Sequence, residues 1–125
     1  MRILLDTHVF LWAVTNDPKL SQTARQLILD AEEVFISAAS IWEISIKVGL
    51  DKIEVDVDEL IAEIPAAGFR ELPVTNTHAA AVRHLPNHHR DPFDRLLVAQ
   101  AITEPLRLLS ADEHVWKYSD LVIRV

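Results

Sequence analysis

At 125 residues, half of them hydrophobic, the chain is long enough for one well-buried core and too short for two ordinary domains. The absence of cysteine excludes a disulfide framework and a thiolate metal site, so any metal must be held by oxygen or nitrogen ligands. Nineteen acidic against twelve basic residues give a formal charge of −7, which argues against nucleic-acid binding by general basic attraction. An acidic cluster that recruits divalent cations remains compatible with a nucleic-acid enzyme.

The sequence also bears on where the protein is expected to act. No apolar run approaches the ~18 residues of a membrane span. The N-terminal residues lack the length and the cleavage region of a signal peptide. We therefore expect one globular domain over residues 1–125, soluble and cytoplasmic.

The first elements predicted along the chain are a buried strand and two helices. Residues 2–5 form a short apolar run, typical of a strand covered on both faces, and this run ends at Asp6. Asp6 is therefore expected at the carboxyl end of a strand. The pattern next predicts helices at 9–14 and 22–31 and a second buried strand at 34–36.

The helix expected over 38–49 carries an acid with several possible roles. Glu43 follows Ser40 at the spacing of a capping box and precedes Lys47 at the spacing of a helical ion pair. The rest of the helix is so apolar that a carboxylate on it needs a buried partner or a chemical function. Trp42, on the same helix, is expected in the core.

The longest motif opens a helix over 92–103. Asp91 is a good N-cap, proline suits the first helical position, and Asp94 follows three residues after the cap. Capping and the helix dipole are a sufficient explanation for both acids when they are taken alone. Before this motif, the sequence predicts a helix at 58–67, a short strand at 69–72 and a helix from Thr75 or Thr77 to about residue 84.

The last part of the chain repeats the arrangement seen at Asp6. A strand is expected at 106–109, and Asp112 follows it shortly after Ser110. Asp112 is also suited to cap the short helix expected at 113–117. A strand at 121–124 closes the chain.

Strands that alternate with helices predict an α/β domain with a mostly parallel sheet and helices on both faces. Ligands bind such sheets at the carboxyl ends of the strands, where Asp6 and Asp112 are expected. Helix N-termini at the same edge carry Glu43, Asp91 and Asp94. Converging carboxylates repel one another unless cations are present, so the pattern favours a hard divalent ion, Mg²⁺ or Mn²⁺. Phosphodiester hydrolysis is the reaction that these residues favour.

Four segments together resemble the PIN domain, and more narrowly the VapC-like toxins of bacterial toxin–antitoxin modules. They are Asp6-Thr7-His8 with Trp12, residues 37–43 (SAASIWE), residues 89–101 (HRDPFDRLLVAQA) and residues 108–112 (LLSAD). The resemblance implies a three-layer α/β/α sandwich around a mostly parallel sheet. It also implies an Mg²⁺- or Mn²⁺-dependent endoribonuclease that cleaves RNA, has a cognate antitoxin protein as a partner and forms a homodimer.

The same resemblance assigns the acids by position. Asp6, Glu43 and Asp94 match the central metal-binding, catalytic carboxylates, and Asp112 matches a fourth one. Asp91 belongs to the motif of the narrower subgroup, where it is either a metal ligand or only a helix cap.

Other positions are auxiliary in this resemblance. Thr7 and Ser110 match small hydroxyl residues that orient a ligand or a water, although the wider family usually has threonine where Ser110 stands. Arg95 is a candidate phosphate contact, together with three neighbouring basic residues, His88, His89 and Arg90. Each of these four is also compatible with a solvated loop.

Two other functions fit parts of the pattern. A catalytically silent PIN-like module would keep the fold and use its groove for protein binding, although every acid position is filled. A receiver-type domain would use Asp6 as a phosphoacceptor. That function leaves Glu43 and Asp94 unexplained, and no second aspartate lies two residues after Asp6.

Overall fold

A five-stranded, entirely parallel sheet forms the centre of the computed structural model, which describes residues 1–125. The strand order is β3-β2-β1-β4-β5. The strands are β1 (Arg2–Leu5), β2 (Glu33–Ser37), β3 (Arg70–Leu72), β4 (Arg107–Ser110) and β5 (Val122–Arg124). The chain therefore moves outward from β1 first to one side of the sheet and then to the other.

Helices cover both faces of this sheet. They are α1 (Thr7–Thr15), α2 (Gln22–Asp30), α3 (Ala38–Gly49), α4 (Val57–Ala66), α5 (Asn76–Ala81), α6 (Pro92–Thr103) and α7 (Glu113–Trp116). A single 3₁₀ turn at Val82–His84 extends α5. No helix has both the length and the apolar character needed to cross a bilayer.

The alternation of side chains along β1 divides the core into two halves. Ile3 and Leu5 pack with buried residues of α1 to α4 on one face of the sheet. Leu4 packs with buried residues of α6 and α7 on the other face. Because all three side chains are fully buried, this strand is apolar on both faces, as its sequence predicts. The predicted three-layer α/β/α architecture is confirmed.

Local capping sets where several helices begin. The α1 helix starts at Thr7, directly after β1, because the Asp6 side chain accepts a hydrogen bond from the Val9 N–H group. Asp91 caps α6, whose bounds are those predicted. Ser37 caps α3, so that helix begins at Ala38 and the capping-box interpretation of Ser40 is wrong.

The core position predicted for Trp42 is also wrong. Its side chain is 60% exposed and meets the Phe93 ring edge-on at a centroid distance of 5.0 Å. The buried face of α3 contains Ala39, Ser40, Glu43 and Ile44. Because successive helical residues are rotated by about 100°, Trp42 lies away from that face.

Candidate active site

The carboxyl ends of the central strand β1 and of its neighbour β4 carry the first two acids of the candidate site. β1 and β4 are parallel neighbours, and the chain leaves them at Asp6 and at Ser110, two residues before Asp112. This is the edge at which the strand order reverses, where parallel α/β sheets form ligand-binding crevices. The topology therefore brings together two acids that are more than a hundred residues apart in sequence.

Both acids also cap helices. Asp6 Oδ1 accepts a hydrogen bond of 2.9 Å from the Val9 N–H group, and Asp112 Oδ1 accepts one of 2.9 Å from the His114 N–H group. Each cap uses a single carboxylate oxygen. Capping and ligand binding are therefore compatible roles for these residues.

Glu43 is buried and is held from two directions. The Thr7 hydroxyl donates to Glu43 Oε1 at 2.7 Å, and Lys47 Nζ lies 2.9 Å from Oε2. The Ser40 hydroxyl lies 3.0 Å from the Thr7 hydroxyl, which extends the network. Glu43 is only 5% exposed, so the buried partner that a carboxylate on this helix requires is present. The predicted pairing with Lys47 is confirmed.

The two acids at the start of α6 differ in their contacts. Asp91 Oδ1 accepts hydrogen bonds from the N–H groups of Phe93 at 2.9 Å and Asp94 at 3.1 Å, which is the geometry of an N-cap. Asp94 Oδ2 instead lies 2.9 Å from the Nε2 atom of His89. A ligand role for Asp91 stays a prediction.

Burial is the main influence on the Asp6 carboxyl. It raises the pKa of Asp6 from 3.8 to about 6, although the Ser110 hydroxyl and the Val9 N–H group favour the ionised form. Repulsion from Asp112 and Glu43 raises the pKa further. Asp6 is thus close enough to both acids to be affected by their charge.

The Asp94 carboxyl is in a similar environment. Burial and repulsion from Asp91 raise its pKa from 3.8 to about 6, while the hydrogen bond to His89 opposes the rise. Asp6 and Glu43 add weaker repulsion. The predicted acids therefore form one interacting cluster at the sheet edge.

The donor atoms of this cluster suit a hard divalent cation. Ligand atoms of His89, Asp94 and Asp112 all lie within 4.8 Å of one another. Carboxylate oxygens are preferred ligands of Mg²⁺ and Mn²⁺, and imidazole nitrogen is a common ligand of transition-metal ions. A cation here would also offset the repulsion that raises the pKa values of Asp6 and Asp94.

The two predicted hydroxyl positions are both close to acids. Thr7 donates to Glu43, as described, and the Ser110 hydroxyl lowers the pKa of Asp6. Ser110 Oγ also accepts a 3.1 Å hydrogen bond from the Asp112 N–H group. Ser110 therefore connects the acids that follow β1 and β4. An open recess of about 240 Å³ beside them is lined by Asp6, His8, Trp12, Ala111 and Asp112.

Arg95 has contacts that were not foreseen for a phosphate-binding residue. Its guanidinium donates to the carbonyl oxygens of Pro86 at 3.0 Å and, with longer bonds of 3.4 Å, of Val82 and His89. It also donates to the Tyr118 hydroxyl at 3.1 Å. These bonds hold the loop that precedes α6, and phosphate contact by Arg95 stays a prediction.

Sequence reasoning missed two residues close to the acids. His114 stacks on His89 with ring centroids 5.1 Å apart and an interplanar angle of 12°. The Ser40 side chain, interpreted as a cap, belongs instead to the network around Glu43. No sequence signal identifies the histidine stack. Ser40 lies one helical turn before Glu43, which would have been enough to place both on one face.

Comparison with known proteins relates this geometry to a family. Residues 3–121 match the family model of the PIN domain. Ribonuclease VapC22 of Mycobacterium tuberculosis is 31% identical over 115 residues, which cover 90% of this chain and 88% of that protein.

Solved structures show the same fold at lower identity. VapBC2 from Rickettsia felis, bound to a DNA fragment from its promoter, has a TM-score of 0.69 at 16% identity and covers 100% of this chain and 98% of that chain. FitAcB from Neisseria gonorrhoeae has a TM-score of 0.67 at 20% identity, covering 100% and 97%. A toxin–antitoxin complex from Klebsiella pneumoniae has a TM-score of 0.66 at 15% identity, covering 97% and 95%. The chain belongs to the PIN domain family, and its motifs place it among the VapC-like proteins of that family.

Proposed function

We propose that this protein is an endoribonuclease that hydrolyses RNA phosphodiester bonds with a divalent cation, Mg²⁺ or Mn²⁺, and acts as the toxin of a toxin–antitoxin pair. The observation that carries the proposal is the cluster of Asp6, Glu43, Asp94 and Asp112 at the reversal point of the sheet. The relative in Mycobacterium tuberculosis, itself named a ribonuclease, supports the same activity.

These four carboxylates are the proposed catalytic residues and metal ligands. When bound, a divalent cation would supply charge stabilisation for the phosphodiester and favour ionisation of a water nucleophile. The raised pKa values of Asp6 and Asp94 support the assignment, because they reflect buried carboxylates near like charges. Asp91 serves α6 as its cap in this proposal, and a direct bond to the cation is not required of it.

The surrounding polar residues restrain carboxylates that otherwise repel one another. Thr7 and Lys47 each engage one oxygen of Glu43, which limits rotation of its side chain. The Asp91 carboxylate accepts a hydrogen bond from the Asp94 N–H group and so holds the first turn of α6 in place. Preorganised acids lose little freedom when substrate and cation bind, which is an efficient arrangement for catalysis.

RNA, a cognate antitoxin and a second copy of the chain are the proposed partners. The antitoxin is supported by the similar solved structures, which include a toxin–antitoxin complex. An apolar stripe along α3 and its C-cap is exposed at Trp42, Ile46 and Leu50, by 60%, 39% and 60%, and it supports association with protein. We propose that residues 1–125 act as a single nuclease domain.

Cleavage of a mixed panel of tRNA, rRNA and mRNA fragments tests the function. Purified, antitoxin-free protein would be assayed with Mg²⁺, with Mn²⁺ and with EDTA, beside Asp6→Asn and Asp94→Asn. Asp58→Asn is the matched control, because Asp58 is an exposed acid in the first turn of α4.

We expect cuts at defined positions that require the cation, persist in Asp58→Asn and disappear in both site variants. Activity that survives in the two site variants would refute the proposed site. If no RNA is cut and Mn²⁺ does not bind, the protein is a silent binding module.

A further inference from the structure

His89 is the one histidine whose ring nitrogen contacts an acid of the proposed catalytic cluster. Its Nε2 atom lies 2.9 Å from Asp94 Oδ2, and its side chain is only 22% exposed. His89 also belongs to the group of three residues, with Asp94 and Asp112, whose potential ligand atoms lie within 4.8 Å of one another. His89 is therefore directed toward the acids and not outward into solvent.

Contacts on several sides hold His89 in this position. The Tyr118 hydroxyl donates to the His89 carbonyl at 3.0 Å, and Arg95 donates a longer bond of 3.4 Å to the same oxygen. The ring stacks nearly parallel on the ring of His114. Because its backbone and one face of its ring are already held, the ring edge of His89 faces the acids without any additional loss of side-chain freedom.

The chemistry of this position suits a cation better than an anion. A phosphate placed at Nε2 would lie against the Asp94 carboxylate and would be repelled by it. A cation at the same place would be attracted by Asp94 and Asp112 and would accept the nitrogen lone pair as well. The local charges thus argue against phosphate contact as the main role of His89.

The distances agree with ligands of a single ion. For metal–ligand bonds of about 2.1 Å in octahedral geometry, neighbouring ligands are about 3 Å apart and opposite ligands about 4.2 Å apart. The 2.9 Å separation between His89 Nε2 and Asp94 Oδ2 matches a neighbouring pair. All three residues have ligand atoms within 4.8 Å of one another, a limit slightly above the separation of opposite ligands.

We propose that His89 supplies a nitrogen ligand, through Nε2, to the divalent cation bound by Asp94 and Asp112. This inference rests on the proposed metal-dependent function and adds a ligand to the four carboxylates. Imidazole nitrogen is a better ligand for a transition-metal ion such as Mn²⁺ than for the harder Mg²⁺. We therefore expect loss of His89 to weaken the binding of Mn²⁺ more than that of Mg²⁺.

Pulsed EPR of the Mn²⁺-loaded protein tests the proposal directly. A coordinated imidazole produces a ¹⁴N modulation in the Mn²⁺ signal, so the readout does not depend on catalysis. Wild type would be compared with His89→Leu and with two controls, His88→Leu and His114→Leu. His88 is the matched control, because its ring contacts Tyr118 instead of an acid.

We expect the ¹⁴N modulation in wild type and in both controls and its loss in His89→Leu. The dissociation constant for Mn²⁺ should rise at least about tenfold in His89→Leu, because loss of even an outer-shell partner of a metal ligand weakens binding by about that factor, and the constant for Mg²⁺ should rise by a smaller factor. Labelling wild type with ¹⁵N-histidine should replace the ¹⁴N pattern with a ¹⁵N pattern. This labelling result holds even if a variant folds poorly.

Mn²⁺ binding without nitrogen modulation in wild type would overturn the proposal and leave the carboxylate site intact. Modulation that survives in His89→Leu but disappears in His114→Leu would overturn it in favour of the stacked neighbour. A failure of wild type to bind Mn²⁺ at all would overturn this proposal together with the metal dependence of the proposed function.

Discussion

Replacement of Asp6 by asparagine measures how much the buried, ionised carboxylate lowers the free energy of unfolding. Burial raises the pKa of Asp6 from 3.8 to about 6. One pKa unit corresponds to about 1.4 kcal/mol, so ionised Asp6 destabilises the metal-free protein by about 3 kcal/mol at neutral pH. Asparagine is an equally good N-cap, so it keeps the hydrogen bond from Val9. We expect Asp6→Asn to raise the free energy of unfolding in EDTA by about 2–3 kcal/mol near pH 7.5.

The dependence on pH follows from the direction of the shift. Because the folded-state pKa is raised, the stability associated with protonated Asp6 is fully present below about pH 3.8 and is lost as the pH rises through about 6. The advantage of Asp6→Asn should therefore be small near pH 4 and largest above about pH 7. Saturating Mn²⁺ should reverse the order of stability, because in the proposed site the cation binds the folded wild type through Asp6.

Urea unfolding followed by tryptophan fluorescence measures these differences. Both proteins would be titrated in EDTA at several pH values and again with Mn²⁺, with Asp58→Asn as the control for the loss of one acid. Equal stability of wild type and Asp6→Asn in EDTA near neutral pH would refute the reasoning. If the stability difference between wild type and Asp6→Asn does not change with pH, the effect of the substitution arises from packing and not from charge.

Further substitutions test other parts of the structure. Thr7→Val removes the hydroxyl that donates to Glu43 at 2.7 Å and should lower the cleavage rate. It should also lower the free energy of unfolding, measured by urea titration, by about 1–3 kcal/mol. Full cleavage activity in this variant would contradict the role of Thr7. Arg95→Met removes the side chain that holds the loop before α6. In limited digestion, trypsin should therefore cut faster after the exposed Arg90. An unchanged rate of trypsin cleavage would count against this role of Arg95. His78→Ala removes a fully buried ring that contacts α6 and should cost roughly 3 kcal/mol, measured by urea unfolding. Its cleavage activity per folded molecule should be unchanged, because the ring does not contact the acids.

The fold was largely predictable because the signals that specify it are local. Strands such as β1 are apolar on both faces, here from Ile3 to Leu5, and the bounds of α6 follow from Asp91, Pro92 and the apolar residues after them. A capping side chain bonds an N–H group two or three residues away, so such a bond is visible in the sequence pattern. Errors came where two local patterns competed: Ser37 and Ser40 both lie close to the start of α3, and only Ser37 caps it.

The identity of the proposed site acids was also accessible from sequence, since strand ends and helix starts meet at one edge of a parallel sheet. The side-chain contacts of these acids could not be predicted from the sequence. The bond from Thr7 to Glu43 joins residues 36 positions apart, and only the packing of α3 against α1 brings them together. Phosphate binding was the role expected of Arg95, whereas its bonds to loop carbonyls depend on the path of the loop before α6.

The sequence by itself therefore determined the order of the elements, the helix caps at Asp91 and Asp112 and the set of acids, because each depends on residues a few positions apart. The tertiary structure decided which acids are buried, which partners restrain them and that His89 turns toward Asp94. The raised pKa values of Asp6 and Asp94 belong to this second group. Burial and repulsion between distant segments exist only once the sheet and the helices are assembled.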